Sequence, residues 1–163
     1  MTDDAGWTIR PAAPDDWPAV VAVAQSAYSE HDWPDYVQNV VGAIPEDPYV
    51  RAFLAVDADG RPIGSVRVDT GGSNSQAWRD DDVSLRMLSV LPEWRGRGVA
   101  SALIDAVEDL ARRSGAEGVS LHTTVALARA AEIYQHLGYV REPAGDRPLP
   151  SGNILMGWRK PLR

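Results

Sequence analysis

The hydrophobic positions of this chain change period along its length, and each change predicts an element. WTIRPA (7–12) alternates briefly and stops at a proline, as a short first strand does. In PDDWPAVVAVAQSAYSE (14–30) acids come first, and Trp17, Val20, Val21, Ala24, Ala27 and Tyr28 follow at the spacing of a helix. HDWPDYVQNVVGAIPEDP (31–48) reads as a second short helix from near Pro34, then a proline-rich connection. YVRAFLAV and PIGSVRV are strand-like, and the DADGR between them signals a hairpin. TGGSNSQAWRDDD (70–82) is a polar loop by composition.

The central third reads strand, helix, strand, helix. VSLRMLSV (83–90) sets Val83, Leu85, Met87 and Ser89 on one face and Leu88 and Val90 on the other, so both faces are partly covered. From Val99 the period lengthens, and Val99, Leu103, Ala106, Val107, Leu110 and Ala111 form one helical stripe. SGAEG ends that helix, with Gly115 as a left-handed cap. GVSLHTTV (118–125) is the next strand, and ALARAAEIYQHLGYV (126–140) the next helix, ending at Gly138. A crossover of this length implies a right-handed parallel unit. No linker or repeat divides the chain, and residues 1–163 are expected to form one mixed α/β domain.

Between the strand at 83–90 and the helix from Val99 lies LPEWRGRG, two arginines and two glycines where a plain turn needs one glycine at most. The first amides of a helix have no internal partners, and the helix dipole puts positive partial charge there. Glycines let a main chain approach an anion without a Cβ in the way, so a phosphate or pyrophosphate suits the position. A Walker loop needs Gly-Lys-Ser/Thr, which the chain lacks. GRGVAS nearly meets the dinucleotide pattern GxGxxG, but Pro92, Glu93, Trp94 and Arg95 separate it from the strand, and Thr123 and Thr124 stand where a ribose-binding acid belongs.

Composition narrows the partners. A net charge of −7 disfavours nonspecific nucleic-acid binding and mildly favours a cationic substrate. There is no cysteine, so disulfides and thiolate metal sites are excluded, and no metal is expected. No apolar run approaches the ~20 residues that span a bilayer. MTDDAGW lacks the basic and apolar regions of a secretory signal, which leaves the cytoplasm by elimination.

The loop then gains a family. VLPEWRGRGVASAL resembles the acyl-coenzyme A signature of the GCN5-related N-acetyltransferases, R/Q-x-x-G-x-G/A, with Arg95, Gly98 and Ala100 in those places after Val90 and Pro92. Farther on, Ala130, Tyr134, Gly138 and Tyr139 match a second family pattern. TIRPAAPDDWPAV is similar to the family's first strand and helix, and ILMGWRKPL to its last strand, so the likeness covers nearly the whole chain. The resemblance implies a mostly antiparallel mixed sheet, flanked by helices, with a central parallel β-α-β unit splayed around acetyl-coenzyme A. It implies that the amides of Gly96, Arg97, Gly98, Val99, Ala100 and Ser101 bind pyrophosphate, with Arg95 and Arg97 screening its charge. Main chain at Leu88, Ser89 and Val90 would pair with the pantetheine arm.

Transfer of an acetyl group to an amine needs a neutral nucleophile, a stabilised oxyanion and a proton for the departing thiolate. Tyr134 stands at the family's general-acid position. Some relatives place a basic glutamate on the strand before the loop, where this chain has Ser84; others place one on the following strand, where it has His122. His122, with a reference pKa near ~6.5, is the expected base, and Asp82 and Glu30, acting through water, are the alternatives. A frequent family asparagine is replaced by Leu127. In this family the first two helices usually wall the acceptor site, which here brings Glu30, His31, Asp32, Trp33, Asp35 and Tyr36, carboxylates and aromatics able to hold an ammonium. The reading is an acetyltransferase for a primary amine on a small molecule or a peptide N-terminus, acting as monomer or homodimer. A coenzyme A-binding sensor without turnover is its alternative.

Overall fold

The computed structural model of the chain describes residues 6–28, 47–72, 75–124 and 128–162. The expected second helix near Pro34 lies outside the described residues, as do Glu30, Asp32, Asp35 and Leu127. The strands are β1 (Trp7–Pro11), β2 (Val50–Asp57), β3 (Pro62–Asp69), β4 (Asp82–Val90), β5 (Gly118–Thr123), β6 (Val140–Arg141), β7 (Arg147–Pro148) and β8 (Ile154–Pro161). The described helices are α1 (Trp17–Ala27), α2 (Val99–Arg113) and α3 (Ala128–His136). The sheet has the order β1-β2-β3-β4-β5-β8-β6, with β7 on β8. β1 and β2, β5 and β8, and β6 and β8 are antiparallel, whereas β4 and β5 are parallel, as the crossover required. Among the described residues no helix is long and apolar enough to cross a membrane.

The chain packs as two compact units, Met1–Val68 with Met87–Val107, and Asp69–Arg86 with Glu108–Arg163. In the first, Val20 of α1 packs with Ala52, Leu54 and Val56 of β2, and Ala12, Trp17 and Ala19 close over them. The hairpin forms at DADGR, where the Asp57 amide donates to the Arg61 carbonyl and Gly60 takes a φ of 81°. α1 buries Val20, Val23, Ala24 and Ala27, an i, i+3, i+4, i+7 set, so Val23 rather than Val21 completes its inner face. Val21 and Tyr28 flank a smaller cluster of Ala24 and Met87.

β4 departs from simple alternation. Met87 has φ 54°, the left-handed region that a side-chain-bearing residue rarely adopts, and the strand kinks there as at a bulge. The ladder with β5 pairs Asp82 with Gly118, Val83 with Val119 and Ser84 with Ser120, while β4 itself continues to Val90.

The second unit has an apolar and a polar strand face. Val83, Val119, Leu121, Tyr134, Tyr139 and Trp158 are all buried, and the indole of Trp158 donates to Thr123 Oγ1 at 2.8 Å. α2 buries Val107 and Ala111 as its stripe requires, and also Glu108, an acid the stripe did not include. Glu108 is satisfied by the Tyr139 hydroxyl at 3.2 Å and the Lys160 ammonium at 2.8 Å. Both helix ends close on left-handed glycines, with the Ala116 amide returning to Ala111 beyond Gly115 and the Tyr139 amide to Tyr134 beyond Gly138.

Candidate functional site

The arginine–glycine loop belongs wholly to the first unit. After β4 the chain makes a 3-10 turn at Pro92–Trp94, runs extended through Arg95, and reaches α2 through Gly96 and Gly98 at φ 77° and 84°. Both values are natural for glycine and strained for any other residue. The first helical bond runs from the Ala102 amide to the Gly98 carbonyl at 3.1 Å, so the amides of Val99, Ala100 and Ser101 precede the ladder and have no intrahelical acceptor. Among the described residues, a Cβ built on Gly96 or Gly98 would meet no heavy atom within 4 Å beyond its chain neighbours. Open space in front of unpaired helix amides, with two glycines keeping it clear, fits a diphosphate.

The two arginines sit in different surroundings. Arg95 turns its guanidinium onto the main chain, donating to the Val90 carbonyl at 3.3 Å and the Ala27 carbonyl at 3.2 Å. The second contact puts a cation on the C-terminal end of α1, where the dipole is negative. Arg95 therefore fastens the loop to α1. Arg97 is exposed and lies over the Trp94 ring, 4.6 Å from its centroid.

Of the strand segment, the Leu88 carbonyl accepts the Tyr28 hydroxyl at 2.9 Å, and Ser89 Oγ donates to the Met87 carbonyl at 3.0 Å. Leu88, Ser89 and Val90 all lie past the last β4–β5 pair.

The second unit carries His122, Tyr134 and Asp82. Tyr134 is buried, at 5% exposure, with its ring edge-on to Tyr139 at 5.7 Å. His122 is half-buried on β5 opposite Gly157 of β8. Its Nε2 lies 2.8 Å from the Gly145 carbonyl, so Nε2 carries the proton and Nδ1 the lone pair. Nδ1 is buried and has no hydrogen-bond partner. The ring is edge-on to Trp78 at 5.3 Å. Burial lowers its pKa below the usual 6.5 and Arg147 and Arg86 act in the same sense, against the Gly145 carbonyl and Asp146.

That environment is built from two stretches whose roles the sequence did not reveal, the loop at 75–81 and a strap at 142–148. Trp78, in the polar loop, packs against Gly145, where any Cβ would overlap the indole. Its Nε1 donates to Glu142 at 3.1 Å, and Arg79 donates to the same carboxylate oxygen at 2.6 Å. Asp146, held well below the usual carboxylate range at about 2 by Arg141 and the Gly157 amide, ties the following turn to β8. An isolated glycine in EPAGD and a tryptophan inside a polar run were the available signals.

Asp82 is engaged elsewhere. It is buried, and its two oxygens take Arg159 at 2.7 and 2.8 Å, with Ser120 Oγ donating at 2.7 Å. A carboxylate so occupied is a structural anion. Ser84, 1% exposed, has an Oγ without a partner, and Thr124 Oγ1 is likewise unpaired.

Comparison with known proteins accords with this geometry. Residues 14–139 match the family model described as the acetyltransferase (GNAT) family. N-alpha-acetyltransferase 30 of Schizosaccharomyces pombe is 29% identical over 114 residues, 70% of this chain and 63% of that protein. Streptothricin acetyltransferase of Streptomyces lavendulae is 33% identical over 98 residues, 60% of this chain and 49% of that protein. The chain thus spans about half to just under two thirds of the length of these two relatives. The crystal structure of an acetyltransferase of the GNAT family from Staphylococcus aureus superposes with a TM-score of 0.71 at 15% identity, covering 96% of this chain and 99% of that one, a likeness of fold. With a family match across most of its length and the fold to go with it, this chain belongs to the GNAT family of acetyltransferases.

Proposed function

We propose that residues 1–163 act as one cytoplasmic acetyltransferase domain, monomeric or homodimeric, that moves the acetyl group of acetyl-coenzyme A to a primary amine. The observation that carries this reading is the pair of left-handed glycines opening clear space before the unpaired amides of α2. Those amides would bind the pyrophosphate of coenzyme A, and the main chain of Leu88, Ser89 and Val90 would pair with its pantetheine arm. Arg97 contributes exposed charge near the loop, and Arg95 holds the loop to α1.

Acetyl-coenzyme A supplies an activated thioester. The protein's part is to hold the reactants and move protons. Tyr134, buried and able to donate from its hydroxyl, protonates the leaving sulfur. His122 takes the amine's proton, and the lone pair for that task is on Nδ1, since Nε2 is held by the Gly145 carbonyl. Asp82 is set aside as a base, because taking a proton would break its pairing with Arg159.

The names of the two relatives suggest two acceptor classes, an α-amine and a streptothricin-like amine. The acids between Glu30 and Asp35 favour a cationic acceptor in either class. Release of free thiol from acetyl-coenzyme A over a panel of peptide α-amines, amino acids, polyamines and antibiotic amines tests the reading. Amine-dependent release is expected. Coenzyme A binding with no release across the panel would overturn it in favour of a sensor. Charge reversal at Asp32 or Asp35 is expected to raise KM for a cationic acceptor and leave that for acetyl-coenzyme A unchanged.

A further inference from the structure

The polar strand face of the second unit holds unmet hydrogen-bonding capacity in one place. In a parallel pair, residues in register share a face, so Ser84 and Ser120 lie on the same side of β4 and β5. His122, two residues beyond Ser120 on β5, shares that side. Strand spacing and rise put the Cα atoms of Ser84 and His122 roughly 8 Å apart on the diagonal, a separation that one water molecule between their polar atoms bridges. Among the described residues, two of the buried side-chain atoms without partners fall on this face, Ser84 Oγ and His122 Nδ1. Elsewhere on it the polar groups are satisfied, Asp82 by Arg159 and Ser120, and Arg86 by Asp69 at 3.1 Å. Unpaired buried polar atoms are rare and costly, so a cluster of them marks a place where a polar guest completes the bonding.

We propose that Ser84 Oγ and His122 Nδ1 together hold a water molecule that carries the acceptor's proton to His122. This rests on the acetyltransferase reading and adds Ser84 to it as a positioning residue. The acceptor's N–H bond breaks as its electron pair forms the bond to the acyl carbon. Its proton passes to the water oxygen, a proton of that water passes to Nδ1, and the water is regenerated. His122 becomes an imidazolium that later loses its Nδ1 proton to solvent. Ser84 keeps one lone pair of the water aimed along its hydroxyl, so that the water donates toward Nδ1. The Gly145 carbonyl fixes which nitrogen receives the proton. The strap and loops therefore set the direction of transfer, and β4 sets the place of the water.

The charged groups around His122 fit a base that rests neutral. Arg86 faces it from β4 and Arg147 from the strap, both opposing a second positive charge, and Asp146 in the same strap is committed to Arg141. The Asp82–Arg159 pair on the neighbouring strands is internally balanced, and Glu142 is held by Arg79 and Trp78.

Two measurements test the proposal, and only one depends on turnover. In ¹⁵N-histidine spectra, with the His122 signals assigned by their loss in His122→Gln, neutral His122 is expected as the Nε2–H tautomer. Ser84→Ala is expected to shift the Nδ1 resonance and leave Nε2 nearly in place. An Nδ1–H tautomer, or an Nδ1 signal indifferent to Ser84→Ala, would overturn the water site whether or not the protein turns over. In the kinetic arm, Ser84→Ala is expected to lower kcat about tenfold to a hundredfold, as loss of one hydrogen bond to a developing charge does, with KM for acetyl-coenzyme A unchanged. Its pH–kcat/KM limb should also move, and Ser84→Thr should restore most of the rate. Wild-type turnover and pH profile in Ser84→Ala would remove Ser84 from the path. Absence of transfer by the wild-type protein itself would refute the acetyltransferase reading instead.

Discussion

The loop before α2 and the pocket around His122 solve the problem of presenting polar groups in opposite ways. The loop does it with main chain: Gly96 and Gly98 take left-handed conformations, their flanks are open, and the helix amides after them need no side chain to be donors. The His122 pocket does it with side chains drawn from three separate stretches, β5, the loop holding Trp78 and the strap holding Gly145. A main-chain site tolerates change in most of its side chains and fails when a glycine is lost. A side-chain site fails at any member whose packing fixes the others.

The contrast orders the expected effects. Largest is Tyr134→Phe, which removes one oxygen and keeps the ring against Tyr139; kcat is expected to fall by ~10²–10⁴ with coenzyme A affinity little changed, measured by steady-state kinetics beside calorimetry. Normal turnover would reassign the acid to solvent. Next is the buried Asp82–Arg159 pair, where Asp82→Ala leaves a guanidinium without its partner and should cost about 3–5 kcal/mol in urea denaturation. Retained stability in Asp82→Ala would contradict the structural role of the pair. Gly145→Ala should follow at about 1–3 kcal/mol, since the new Cβ must displace Trp78, and His122 should lose its tautomer preference with it.

pH sharpens the same comparison. His122 has a folded pKa below 6.5, so between that value and 6.5 the unfolded chain binds the proton more readily than the fold. Stability is therefore full above pH 6.5 and declines as pH falls toward the folded pKa. The limb of kcat/KM is expected with its midpoint below 6.5, and His122→Ala should remove it; a limb above 6.5 would contradict the burial that sets it. Smallest is Arg97→Ala, which loses an exposed cation over Trp94 and should weaken coenzyme A binding by under about 1 kcal/mol, less in high salt.

What was legible in the sequence follows the same division. Periodicity located β1 to β5, α1, α2 and α3, the family likeness of ILMGWRKPL located β8, and the spacing of strand, helix and strand required the parallel pair of β4 and β5. The left-handed turn of the loop was legible in its glycines, because that conformation is a local property that one residue type supplies. The positive φ at Met87 was not legible, since methionine carries no local preference for φ 54°. Nor was the pocket of His122, because Trp78 and Gly145 are far apart in sequence and meet only through the folded strands. The bonds of Arg95 to Ala27 and Val90 were not legible either, since they depend on a helix end that no local pattern brings near.

The central claim is that the two-glycine loop presents its main chain to coenzyme A. Calorimetric titration of coenzyme A into the wild-type protein and into Gly98→Val tests it most directly, with circular dichroism showing that the variant is folded. A valine at φ 84° is strained and its branched side chain enters the open space before α2, so binding should be present in the wild type and lost, or weakened at least a hundredfold, about 3 kcal/mol, in the variant. A folded Gly98→Val protein that binds coenzyme A as tightly as the wild type would contradict the account.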